Sequence, residues 1–396
     1  MKKVKFLSVV FAIILIFQIS PVHAFTVSNN TLSTQELNAL NFYDKELCNN
    51  QQVISLKNSN QLDGFIKKLN DEYNVLEHQD YLDKMEIMSL WGITADDTFK
   101  DIAVMAQTYL DNHCGGIIIG TKEFNEYVEN SLLGDGDGIF RRAQENKEFG
   151  PLYLYMCLYY EQLKNNTDYL DVIKSGSRNK GFEELTISEI IQYDFKYNFS
   201  ETTIPIILRE YSNSVLENSR NAWPRLSDEK IEEYARRHAE SPNNANYINL
   251  GDEDCTNFVS QALFYGYLPK TYINPNDKNH DGYVDTEDRW FYFNNNSNSG
   301  YSISTSWVRV VELYNYLAPH YATYEARANS NVNPYLNKGF VLQGKPLIGG
   351  YRHSVIVTHH PETGQLSYCA HSNPRKDAAI SIFYDGFYKC RVIQTY

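Results

Sequence analysis

Asp254-Cys255-Thr256-Asn257-Phe258-Val259-Ser260-Gln261 places one cysteine, after an acid, at the start of an amphipathic helical pattern. A thiol becomes a strong nucleophile as a thiolate, and a helix N-terminus favours that charge through its unpaired N–H groups. The same groups can hold an oxyanion, so one short segment offers both halves of acyl transfer. Such chemistry needs a base and a group that orients the base. His353 opens the β-branched run His353-Ser354-Val355-Ile356-Val357-Thr358 and is the candidate base. His371 ends the next run, after the turn Pro361-Glu362-Thr363-Gly364. A hairpin would set it beside His353 as orienter, with Asn373 the alternative. Asp254 and Asn257 flank the cysteine as supporting residues.

Cys369 shares a strand face with His371. Together with Cys255 and His353 these form a competing Cys2His2 zinc set, although paired knuckle spacing is missing. A second ion motif is sharper. Asp277-Lys278-Asn279-His280-Asp281-Gly282-Tyr283-Val284-Asp285-Thr286-Glu287-Asp288 follows the twelve-residue calcium loop. Its oxygen ligands are Asp277, Asn279, Asp281, the Tyr283 carbonyl, Asp285 and Asp288, with Gly282 at the sharp turn. Aspartate stands at the last position, where a glutamate is usual. The expectation is one structural calcium that stiffens the loop, with no organic cofactor. Trp290-Phe291-Tyr292-Phe293 and Trp307 read as core, or as the lining of a peptide or sugar groove.

The elements that must position these residues follow an α+β order. Residues 1–24 read as a signal peptide: basic Met1–Lys5, apolar Phe6–Ile19, and Val22-His23-Ala24 before the cut. That predicts a secreted chain, with membrane contact only during export. Residues 25–217 read as a mostly helical N-terminal domain with no evident chemistry, after a loose polar lead-in to about residue 60. Helical spacing marks Leu62–Leu69, Phe99–Leu110, Ile139–Leu163 and Thr203–Val215. Gly134-Asp135-Gly136-Asp137-Gly138 reads as a solvated turn. Residues 216–226 form a join, and 218–396 a second domain. Its pattern is helical at Ser227–His238, at the cysteine and at Trp307–Leu317. Strands follow at 353–358, 365–371, 379–383 and 388–394.

The net charge of −13 argues against a nucleic-acid partner. Six cysteines are too few for a disulfide scaffold in a chain of 396 residues. If Cys255 stays free, the other five cannot all pair.

Residues 227–396 resemble the putative amidase domain family, an offshoot of the NlpC/P60-like, papain-related cysteine peptidases of bacteria. Tyr234-Ala235, the stretch 254–261, Ser306-Trp307 and His353–Thr358 carry the resemblance, in the family's order. It covers a little under half of the chain and does not reach 25–217. It implies a papain-like fold with a helix-borne cysteine packed on an antiparallel sheet. It also implies Cys255 as nucleophile, His353 as base and His371 as third member, acting on peptide amides of peptidoglycan. The segment before His353, Gly344–Arg352, lacks the expected Gly-Asp pair. Two other readings remain: an inactive wall-binding or adhesion module on the same scaffold, and a cysteine acyltransferase.

Overall fold

A computed structural model describes residues 31–43, 46–164, 167–176, 180–213, 223–271, 282–286, 288–295 and 300–396. The expected signal peptide and Asp277, Asn279 and Asp281 of the calcium-like loop lie outside the described residues. No described helix is long and apolar enough to cross a membrane.

The N-terminal half is helical, and its helices begin earlier than the polar lead-in suggested. α1 (Thr34–Asn41) is capped by Ser33 and Glu36 reciprocally, and α2 (Gln51–Asn58) by Asn50. Both helices sink apolar residues (Leu40, Val53, Leu56) into a core with α3 (Leu62–Leu90) and with Ile207 and Leu208. Polar composition hid these short helices because only one narrow face of each is buried. α4 (Phe99–His113) and α5 (Lys122–Leu132) follow. The run 139–163 is two helices, α6 (Ile139–Glu145) and α7 (Gly150–Leu163). Asn146 ends the first, and Pro151 sits in the first turn of the second, where its missing N–H costs nothing. α8 (Thr167–Gly176), α9 (Ile187–Asn198) and α10 (Ile204–Asn213) complete this half.

In the C-terminal half, α11 (Asp228–His238), capped by Ser227 Oγ, packs beside α12 (Cys255–Tyr265). A small sheet holds β1 (Gly282–Val284), β3 (Gly300–Ser304) and β2 (Tyr292–Asn295) in that order. The short helices α13 (Thr305–Val308) and α14 (Val310–Leu317) follow. The main sheet contains β4 (Ala322–Arg327), β5 (Val341–Lys345), β6 (His353–His359), β7 (Leu366–Ala370), β8 (Arg375–Ala379) and β9 (Lys389–Gln394). Its order is β4-β9-β5-β6-β7-β8, every pair antiparallel. Residues 379–383, expected as a strand, instead enter α15 (Ile380–Gly386). Ile380, Phe383 and Tyr384 are all buried there, a helical i, i+3, i+4 face; β-branched and aromatic residues in so short a run do not discriminate strand from helix.

The two faces of β6 serve different cores, as a period of two requires. Ile356 faces Phe258, Val259 and Ala262 of α12, whereas Val355 and Val357 face Phe383 and Phe387. The helical half is fused to this sheet. Leu347, Ile348 and Tyr388 belong to the core of α4–α9. Beneath them Asp194 accepts from Lys84 (2.7 Å), from the Tyr169 hydroxyl (2.9 Å) and from Gly349 N–H (2.7 Å). The segment before His353, which lacks the expected Gly-Asp pair, is therefore held by α3 and α9. Trp290, Phe291, Tyr292 and Trp307 are buried, so the aromatic segment is mainly core.

Candidate active site

Cys255 is the first residue of α12, at the sheet rim. Asp254 and Asn257 lock this start. Asp254 Oδ1 accepts from Leu250 N–H (2.9 Å) and from Asn257 Nδ2 (2.7 Å). Asn257 Nδ2 also donates to the Ile248 carbonyl (2.8 Å), and Asn257 Oδ1 accepts from Trp307 Nε1 (2.8 Å). Thr256 Oγ1 donates to Ser354 Oγ (3.3 Å), pinning the helix to the inner face of β6.

The thiol is buried. Burial pushes its pKa up, against hydrogen bonds from Ser354 N–H and from Thr256 that favour the thiolate. The pKa is thus raised where the helix start suggested a lowered one: desolvation, with the Asp254 carboxylate beside it, outweighs the hydrogen bonds to the sulfur.

His353 lines the same cleft, about 510 Å³ in volume, with Leu133, Gly134, Tyr160 and Arg352. Its ring belongs to the opposite face of β6, stacked near Phe383 and Phe387 at 6.3 and 6.1 Å between centroids. No hydrogen bond joins it to Cys255 among the described residues; Sγ lies 4.0 Å from the Arg352 carbonyl and 3.7 Å from Thr256 Oγ1. Burial pushes the His353 pKa down to about 4, with the Asp135 carboxylate opposing. Its Nε2 is buried with no hydrogen-bond partner among the described residues.

Neither expected orienter bonds to His353. His371 has both ring nitrogens engaged elsewhere, Nδ1 with Asp254 Oδ2 (2.6 Å) and Nε2 with the His238 carbonyl (2.7 Å). Its ring stacks on Phe258, 4.1 Å between centroids. The hairpin does bring His371, one residue past the end of β7, next to the strand of His353, but the two rings lie on opposite faces. Asn373 Nδ2 donates instead to Asp135 Oδ1 (3.1 Å).

Asp135 is the residue that motif reading missed. The Gly-Asp turn is not solvated: Asp135 is 1% exposed. It accepts from Arg375 Nη2 (3.2 Å) and Nε (3.3 Å), and from the Tyr368 hydroxyl. Burial would raise its pKa, but these donors outweigh that and hold it lowered. Gly134 has φ +58°, and a Cβ there would lie 2.8 Å from Asn373 Cβ and 3.6 Å from His353 Cε1. A Cβ at Gly386 would overlap the Asp135 carbonyl. Only glycines admit this loop, and the sequence signal was the glycine alternation between Leu133 and Ile139.

Of the calcium-like ligands, Asp285 Oδ1 accepts from Thr305 Oγ1 (3.3 Å), and Asp288 lies 3.7 Å from Arg209 Nη2. Tyr283 sits in β1. Among the described residues, no group of three His, Cys, Asp or Glu could hold a metal. Cys369 Sγ accepts from Asp377 N–H (3.5 Å), away from the cleft. All six cysteines are free thiols.

The family model described as putative amidase domain matches residues 225–393. No curated protein and no solved structure matches the chain.

Proposed function

We propose, from the premise that residues 225–393 belong to the putative amidase domain family, that the protein is a secreted cysteine amidase or endopeptidase cutting peptide amides of peptidoglycan. The observation that supports this most is the shared cleft of Cys255 and His353, with Ser354 N–H and Thr256 turned to the sulfur. An α12 start packed on an antiparallel sheet also fits a papain-like scaffold.

In this reading the resting pair is neutral. Cys255 Sγ attacks the scissile carbonyl carbon while its proton passes to His353, which burial keeps unprotonated at rest and whose basicity the Asp135 carboxylate raises. The N–H at the α12 start holds the oxyanion. Collapse of the intermediate breaks the C–N bond, and His353 returns the proton to the departing amine. Water, deprotonated by His353, then opens the thioester. The imidazole must turn toward Sγ from its resting position against Phe383 and Phe387. Asp135 supports the imidazolium electrostatically in the role expected of His371 or Asn373. Calcium at 277–288 serves structure alone.

Mass spectrometry of muropeptides released from cell walls tests the proposal. Wild type should release new amine and carboxyl termini, and Cys255→Ala none. Equal release by both would overturn it. The separation of Sγ from the His353 ring favours one second reading, an inactive wall-binding module. Retained wall binding without any release by wild type would establish that instead.

A further inference from the structure

A second, larger cleft of about 890 Å³ opens on the far side of the cysteine helix, between α11, the end of α12 and β2. One loop serves both clefts. Asn243, Asn246 and Tyr247 line this one, while Asp252 and Glu253 line the cysteine cleft.

Its walls are aromatic and partly open. Phe264 is 39% and Tyr267 65% exposed, unusual for rings of that size. Tyr267 has φ +78°, a backbone state that a bulky side chain adopts only under constraint. Its phenol lines the cleft and stays open to solvent.

The charge is unusual for so acidic a chain. Lys230, Arg237 and Lys270 line the cleft, and among the described residues no carboxylate does. Lys230 and Arg237 share Glu233. Lys270 has no carboxylate partner among the described residues. Its ammonium donates to the Tyr292 carbonyl (2.7 Å) and lies 4.5 Å from the Phe264 ring centroid and 5.3 Å from that of Phe293. Burial lowers its pKa, as expected for an ammonium short of counter-charge.

We infer that this cleft binds a carboxylate-bearing pyranose unit of a glycan. Ring faces such as Tyr267 cover the apolar face of a sugar. The amides of Asn243, Asn246 and Asn294 suit its hydroxyl and acetamido groups. Lys270, half-buried against Phe264 and Phe293, supplies the donors for its carboxylate. An acidic peptide matches the cation but leaves the open aromatic faces unused. The site is independent of the thiol chemistry.

Calorimetric titration of the full chain with N-acetylmuramic acid, neutral diacetylchitobiose and the peptide Ala-Glu-Ala tests this. N-acetylmuramic acid should bind saturably and tighter than the other two. Lys270→Met and the exposed Tyr267→Ala should each weaken it about tenfold, the scale of one lost charged hydrogen bond or ring contact. Cys255→Ala should leave it unchanged. No saturable binding, equal affinity for the neutral sugar, unchanged affinity in Lys270→Met, or preference for the peptide would each overturn the inference.

Discussion

Asp135 and Arg375 form an ion pair, 3.2 Å from Oδ1 to Nη2, that ties the loop after α5 to the first residue of β8. Its carboxylate is fully buried and its guanidinium one-quarter exposed, so the two partners differ in what their loss would cost. Through this pair the helical half reaches the wall of the cysteine cleft.

Asp135→Asn should therefore act on both stability and turnover. Removing the charge leaves Arg375 to rehydrate, at a cost of about 2 kcal/mol. Loss of the carboxylate also removes support for the His353 imidazolium, so kcat should fall more than KM rises. Urea unfolding and steady-state kinetics on the same variant check this. Unchanged kcat in a folded variant would remove Asp135 from the site.

Gly386→Ala places a methyl group into the Asp135 carbonyl. The loop must shift, and destabilisation of roughly 1–3 kcal/mol is expected, as for overpacking. Because the same loop carries Asp135, activity should fall along with stability. Thermal melts and turnover measured at a temperature where the variant is folded separate the two effects.

The buried, neutral thiol predicts slow alkylation. Iodoacetamide at neutral pH should label Cys255 more slowly than a free cysteine with pKa near 8.5. Cys114, which is more exposed, should react first. Peptide mapping with time gives the order, and faster labelling of Cys255 would refute the buried resting state.

His353 should make stability depend on pH. Its folded pKa is about 4 against 6.5 in the unfolded chain. Between those values the unfolded state binds more protons, so stability rises with pH. Acidification from pH 6.5 to 4 should cost on the order of 3 kcal/mol from this residue. His353→Gln should flatten that part of the profile, read by denaturant titrations at several pH values.

Lys84 is wholly buried between Asp80 (2.5 Å) and Asp194 (2.7 Å). Burial alone would lower its pKa, but the two carboxylates outweigh that and raise it. Among the described residues, Lys84→Met leaves Asp80 paired with Lys389 alone (3.1 Å) and Asp194 with Lys345 alone (3.6 Å), and should destabilise by about 3 kcal/mol. Asp194 also holds Gly349 N–H, so the change should loosen the approach to His353. Hydrogen exchange at residues 347–352 checks that coupling.

By itself the sequence determined the longer local elements and the setting of Cys255, the proposed nucleophile. The apolar period of α12, its start at Cys255 and the β-branched strand at His353 are written in neighbouring residues, as is the amidase resemblance. The six-stranded order was not legible, and neither was the division of β6 between two cores. His371 illustrates why. Strand arithmetic gave it the right neighbour and the wrong partner, because the face a ring occupies depends on what packs there: Phe258 and Asp254 for His371, Phe383 and Phe387 for His353. Asp135 lies far from Arg375 along the chain and meets it only once α5 and α15 pack against the sheet. Side-chain type and spacing set local geometry. Burial and charge pairing between distant segments decide protonation, and they appear only when the chain has closed on itself.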